Sequence, residues 1–187
     1  LTEPVDVRQF GLIFAGAQKN IAPAGLTLVI VRDDLLKICP KQVVPTMLDY
    51  RVHAAHRSLY ATPPVFQCDM AARMLRWIKA QGGLQVLYQL GCEKAAKLYA
   101  YIDASSEYVC SIKPNLRSRI NVCFTLKDET QELGFLRAAE RRNLRGLKGH
   151  RLRGGLRASL YNAMPMAGVD ALIGLMDDFV RGAEKGE

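Results

Sequence analysis

Lys19 is the residue of this chain best suited to covalent chemistry. It stands in the stretch FAGAQKNIAPAG, residues 14–25, between an apolar run over residues 10–17 and a second over residues 26–31. An ammonium held between two buried strands is unfavourable unless it is paired or neutralised. One solution is to use the amine as a nucleophile that forms a Schiff base with an aldehyde, its pKa lowered by apolar or cationic surroundings. Ala15, Gly16, Ala17 and Gly25 would let a flat ring come close to the backbone. On spacing alone the plainer reading is a loop lysine that reaches solvent, because lysine is rarely buried.

Two further groups of residues invite chemistry. Thr62 precedes Pro63 and Pro64, and a hydroxyl beside a helix start can donate to a phosphate or cap the helix. Residues 137–157 hold eight Lys or Arg and one acid, a net +7 of the chain's +8. Such a segment attracts anions, whatever the anion. A nucleic-acid stripe is one reading of Arg137, Arg141, Arg142, Arg145, Lys148, Arg151, Arg153 and Arg157, and a solvated basic face is another. Against the first, no aromatic stands between Phe135 and Tyr161, and no nucleic-acid-binding motif is recognisable. His53 and His56 read as solvated loop residues with no third metal ligand.

The elements that must position these residues follow from periodicity. Residues 10–17 and 26–32 read as buried strands joined by the lysine loop, the second rich in Val, Ile and Thr. Asp33 and Asp34 stand at the start of a short helical turn. Residues 37–62, broken by Pro40 and Pro45, read as irregular. A helix is predicted from Pro63-Pro64, with Phe66, Met70, Met74 and Trp77 or Ile78 as core and Gly82-Gly83 as its stop. A second helix follows to residue 102 with a break near Gly91.

Residues 108–112 and 120–126 alternate like antiparallel strands around a Pro114-Asn115 turn. Residues 129–144 are read as helix with Leu133, Leu136, Ala139 and Leu144 inward, 156–161 as strand, and 168–181 as an amphipathic helix. The domain boundary is placed near residue 88, with a small α+β domain beyond it.

Composition is that of a globular protein, 49% hydrophobic and 24% charged. No apolar run approaches the ~20 residues that cross a bilayer, and residues 1–10 lack the features of a signal peptide. Cys39, Cys68, Cys92, Cys110 and Cys123 form no CxxC pair, so buried free thiols in a reducing compartment are the plain reading.

The string AGAQKN-I-x-PAG-L-T-L-V-I-V-R-x-D-L-L closely resembles the cofactor-lysine segment of the phosphoserine aminotransferase family, pyridoxal-phosphate enzymes of fold-type I, class V. SLYATPP, residues 58–64, resembles that family's S-x-[FY]-N-T-P-P, with Ala61 in place of its asparagine. LKGHRLRGGLRASLYNAMP, residues 147–165, resembles K-G-H-R-x-x-G-G-x-R-A-S-x-Y-N-A. The likeness runs from Asp6 to Phe179 and covers only the second half of the family's pattern.

The resemblance implies an α/β fold: the C-terminal part of a fold-type I large domain over residues 1–88, then a small α+β domain over 89–187 that closes on substrate. It implies that Lys19 binds pyridoxal 5'-phosphate covalently and shuttles a proton, and that Gln18 and Thr62 contact the cofactor phosphate. Arg157 would grip the substrate α-carboxylate, and a planar guanidinium suits that because it makes two parallel bonds. His150 and Arg151 would bind the distal phosphate of phosphoserine or the side-chain carboxylate of glutamate.

The implied enzyme is a cytoplasmic homodimer with a cofactor site shared across the interface, binding neither membrane nor nucleic acid. It transfers the amino group of glutamate to 3-phosphohydroxypyruvate, giving phosphoserine and 2-oxoglutarate in serine biosynthesis. The family's ring-stacking aromatic, its aspartate for the pyridine nitrogen and its glycine-rich phosphate loop precede the lysine and are not in this sequence. A non-catalytic fragment, or one piece of a nicked aminotransferase, is therefore the alternative expectation; a basic nucleic-acid-binding module is the remote one.

Overall fold

The computed structural model describes residues 2–38 and 42–182. Cys39, Pro40 and Lys41, three residues of the expected irregular stretch, lie outside them. The chain divides into two compact units, Leu1–Gln85 and Val86–Glu187.

In the first unit, β1 (Leu12–Gly16) and β2 (Thr27–Val31) form an antiparallel hairpin in which Phe14 faces Val29 and Gly16 faces Thr27. The expectation that these strands are buried is corrected. Phe14 is 72% and Ile30 53% exposed, and Leu12, Leu28 and Val29 are also exposed. Side chains alternate across a strand, so Phe14 and Val29 lie on one face and Leu28 and Ile30 on the other. Both faces are apolar and open. The β-propensity of the run made the strands legible, while burial depends on layers that a two-stranded sheet does not supply.

After β2, Arg32 holds the N-cap position of the short helix α1 (Asp33–Leu36) without a side-chain cap bond, and Asp34 pairs with Arg32. Residues 37–62 are more regular than expected: a 3-10 turn (Thr46–Leu48) leads into α2 (Tyr50–Ala55), capped by Asp49, which accepts from the Arg51 amide at 2.9 Å. His53 and His56 bond the carbonyls of Met47 and Val52, and no metal-holding cluster exists among the described residues.

The next helix, α3 (Val65–Ala80), ends at Gly82 and Gly83, both in the left-handed region. Its N-cap is Pro64 without a side-chain bond, so Thr62 does not cap it. The predicted Met and aromatic core stripe is also corrected. Phe66 is 64% exposed and Met70 is exposed, while Ala71 and Ile78 are buried. Ala71 packs with Ala17, Ile21 and Ala22 beneath the lysine loop.

The helix α4 (Leu84–Ala104) runs unbroken through Gly91, against the expected break. A single glycine costs a helix only about 1 kcal/mol, which the packing of Ala95, Leu98, Tyr99 and Ile102 offsets.

The second unit is a two-layer α+β sandwich. β3 (Tyr108–Val109), β4 (Asn121–Leu126), β5 (Lys148–His150) and β6 (Gly154–Ser159) form an antiparallel sheet in the order β3-β4-β6-β5. One face, carrying Tyr108, Val122, Phe124, Leu126, Leu156 and Ala158, packs against α4, α5 (Glu132–Arg141) and α6 (Met166–Val180). Edge-to-face contacts link Tyr108, Phe124, Phe135 and Phe179 with centroids 5.3–6.0 Å apart. Leu133, expected inward, is 67% exposed, and Phe135 and Ala138 take the core positions beside Ala139. Four of the cysteines, Cys68, Cys92, Cys110 and Cys123, are free and half-buried, less buried than expected.

Candidate functional site

Lys19 lies in the loop between β1 and β2, and its backbone is left-handed, with φ +79°. That region costs a side-chain-bearing residue about 1–2 kcal/mol, so it persists only where the surroundings enforce it. Here they do. The amide of Ala17 donates to the Leu26 carbonyl at 2.9 Å, and the Ala17 carbonyl accepts from Ile21 and Ala22 at 3.2 and 2.8 Å. Gln67 of α3 donates to the Ala24 carbonyl at 3.1 Å, beside Gly25 at φ +113°.

The lysine side chain is exposed, and its amine has no partner among the described residues. It borders a hollow of about 520 Å³ floored by Ile21, Ala22, Met70, Met74 and Trp77. Gln18 folds back on Gly16, where any β-carbon would collide with its amide. A free primary amine on a fixed loop, backed by glycine and alanine, fits covalent attachment of an aldehyde cofactor such as pyridoxal phosphate. Thr62 is exposed, just ahead of α3, and follows a turn in which Arg57 and Ser58 are both left-handed.

In the second unit, His150 ends β5 and Arg151 begins the tight turn to β6; both are exposed. The His150 carbonyl accepts from the Arg153 amide at 2.9 Å, and its Nδ1 accepts from the Leu152 amide at 3.2 Å. Gly154 and Gly155, with φ of +68° and +66°, make the turn possible.

Arg157, two residues into β6 from that turn, stands on the sheet face opposite the core. Its Nε is buried and donates to no acceptor among the described residues. A buried donor without a partner is costly, and an anion is the natural complement of a guanidinium.

Arg157 lines a cavity of about 540 Å³ with Arg145, Ser159, Tyr161, Met164 and Leu172, among others. The cavity occupies the edge of β6 beyond the end of β5. Leu160 pairs with Ile120 through its amide (2.6 Å), so the alternation of an antiparallel ladder turns the Ser159 amide away from β4 toward this edge. The structure thus brings Arg157 together with Ser159 and with Arg145, which the sequence placed only in the basic stripe. His150 and Arg151 do not line this cavity. The basic segment is partly neutralised, since Arg142 pairs with Asp178 at 2.8 Å.

One signal was overlooked in the sequence. Lys94 falls on the apolar stripe of α4 and is only 4% exposed. Its Nζ donates to the Tyr161 carbonyl at 2.9 Å and to the Met164 carbonyl at 2.8 Å. Burial pulls its pKa below the usual lysine value.

Comparison with known proteins adds an independent line. The sequence pattern of the family described as aminotransferase class-V matches residues 1–172. The phosphoserine aminotransferase of Legionella pneumophila is 59% identical over 181 residues, which are 97% of this chain and 50% of that protein. Among solved structures, phosphoserine aminotransferase from Bacillus circulans subsp. alkalophilus superposes with TM-score 0.92 at 44% identity, covering 97% of this chain and 50% of the other. Pyridoxal-phosphate-bound phosphoserine aminotransferase from Trichomonas vaginalis gives 0.88 at 40% identity, covering 95% and 51%. The chain spans about half the length of the curated relatives it matches, and its fold is that of the corresponding half of these structures.

Proposed function

Because the chain belongs to the aminotransferase class-V family, we propose that it is the lysine-bearing half of a pyridoxal-phosphate-dependent phosphoserine aminotransferase. The reaction moves an amino group from glutamate to 3-phosphohydroxypyruvate and releases 2-oxoglutarate and phosphoserine, as a step of serine biosynthesis. The observation that carries the reading is Lys19, a free primary amine presented from a left-handed position by a loop bonded on both sides.

Each residue has a defined task in this reading. Lys19 Nζ would anchor the cofactor and, once released, would carry the proton from the substrate α-carbon to the cofactor's aldehyde carbon. Pyridoxal phosphate, when bound, supplies the electron sink that lets that proton leave. Gln18 and Thr62 bind the cofactor phosphate. Arg157 orients the substrate through its carboxylate, completing the orphaned Nε. His150 and Arg151, both exposed, receive the distal phosphate or carboxylate, His150 through the ring nitrogen that the Leu152 amide does not occupy. The working enzyme is proposed to be a cytoplasmic homodimer with residues of both subunits at the cofactor.

The exposed apolar faces of the β1–β2 hairpin favour a second reading, in which this chain alone is a non-catalytic piece that acts with a companion segment. Borohydride reduction after incubation with pyridoxal phosphate, followed by peptide mass mapping, distinguishes the two. A phosphopyridoxyl adduct confined to Lys19 supports a working cofactor site. Adducts scattered over surface lysines, or none, would assign the chemistry to a longer assembly only.

A further inference from the structure

The turn over residues 161–164 forms one wall of the Arg157 cavity through Tyr161 and Met164. Within it, the Met164 amide donates to the Tyr161 carbonyl at 2.9 Å. Both end carbonyls of the turn, those of Tyr161 and Met164, also accept from one buried ammonium, Lys94 Nζ of α4. No carboxylate pairs with that ammonium among the described residues.

A charge enclosed in this way is unfavourable for stability, and an apolar residue of similar volume on the α4 stripe would avoid the desolvation. Its two bonds, to the Tyr161 and Met164 carbonyls, tie α4 to the mouth of the cavity. Met164 in turn packs against Gly168, where the absence of a side chain admits its sulfur. The ammonium, the turn, Met164 and the first turn of α6 are therefore one connected support.

We infer that Lys94 is a positioning residue for the Arg157 cavity: its ammonium fixes the 161–164 turn so that the cavity keeps the shape in which Arg157 meets a carboxylate. Lys94 touches neither substrate nor cofactor, and its role builds on the reading of Arg157 as the carboxylate grip. A misplacement of about 1 Å at a binding group is enough to cost an order of magnitude or more.

The test is titration of the 187-residue chain with 2-oxoglutarate, followed by nuclear magnetic resonance, for the unaltered chain and for Lys94→Met, Lys94→Arg and Arg157→Gln. Lys94→Met is expected to weaken binding about tenfold, and Lys94→Arg, which keeps charge and donors, to restore most of it. Loss of thermal stability in Lys94→Met with unchanged 2-oxoglutarate affinity would overturn the inference, leaving the lysine a structural element only.

Should Lys94→Met not fold, the unaltered chain still decides. Saturation with 2-oxoglutarate is expected to shift the Lys94 side-chain signals and the amides of Asn162 and Ala163 together with Arg157. A response of Arg157 with silence at Lys94 and the turn would refute the positioning role alone. An Arg157→Gln chain that binds as tightly as the original would instead refute the reading of Arg157, and the role of Lys94 with it.

Discussion

Lys19 is held where its side chain is an energetic burden. A glycine at φ +79° has no such penalty, though it gives up more entropy on folding. Lys19→Gly is therefore expected to gain about 0.5–1 kcal/mol in urea unfolding while losing the borohydride-trapped adduct, a trade of stability against function. Gly155 is the opposite case. An added β-carbon would stand 2.8 Å from Thr125 Cγ2 and 3.1 Å from the Phe124 carbonyl, on a backbone at φ +66°. Gly155→Ala should cost about 2 kcal/mol, read as a lower urea midpoint, and should weaken carboxylate binding because the same strand carries Arg157.

At the scale of elements, the helices show what periodicity can and cannot say. The period of α5 identified a helix, but it did not choose which apolar residues face in. Leu133 and Phe135 are both apolar, and only the angle at which α5 meets the sheet and α6 buries Phe135. Phe135→Ala is expected to cost about 3–5 kcal/mol and Leu133→Ala no more than about 0.5 kcal/mol, a contrast that thermal unfolding of the two variants checks. Lys94 was hidden for the same reason. A lysine among Leu87, Ala95, Leu98 and Ile102 was visible as an exception, yet the carbonyls that accept its protons come from residues 67 and 70 positions away.

For the whole molecule, the two units differ in how completely they are closed. The second has a continuous core of sheet and three helices; the first has a small cluster beneath the lysine loop and an open apolar hairpin. Three tyrosines record the closure of the second unit. Burial pushes the Tyr99 phenol up to about 12, and raises those of Tyr101 and Tyr108 as well. Tyr99 donates to the Ser118 carbonyl and Tyr108 to the Met176 carbonyl, both at 3.0 Å. Because the folded values lie above the unfolded value of about 10, the folded state holds more protons there. Stability is fully present below about pH 10 and declines as pH rises toward the folded values. Phenolate absorbance during alkaline titration should show these three ionising with unfolding; ionisation while the fold persists would contradict it.

Local order in this chain follows from neighbouring residues alone. An apolar run marked β1 and a β-branched run β2, glycines ended α3 and turned β5 into β6, and the segments around Lys19 and Arg157 carried their family likeness without any coordinates. These are short-range facts, fixed by backbone sterics and side-chain shape. The tertiary structure decided what is near what: the open faces of the hairpin, the strain at Lys19, the cavity that joins Arg157 to Arg145 and Ser159 but not to His150, and the burial of Lys94. Burial and pairing depend on which distant segments arrive at a surface, and residues far apart in the chain leave no period from which their meeting can be read.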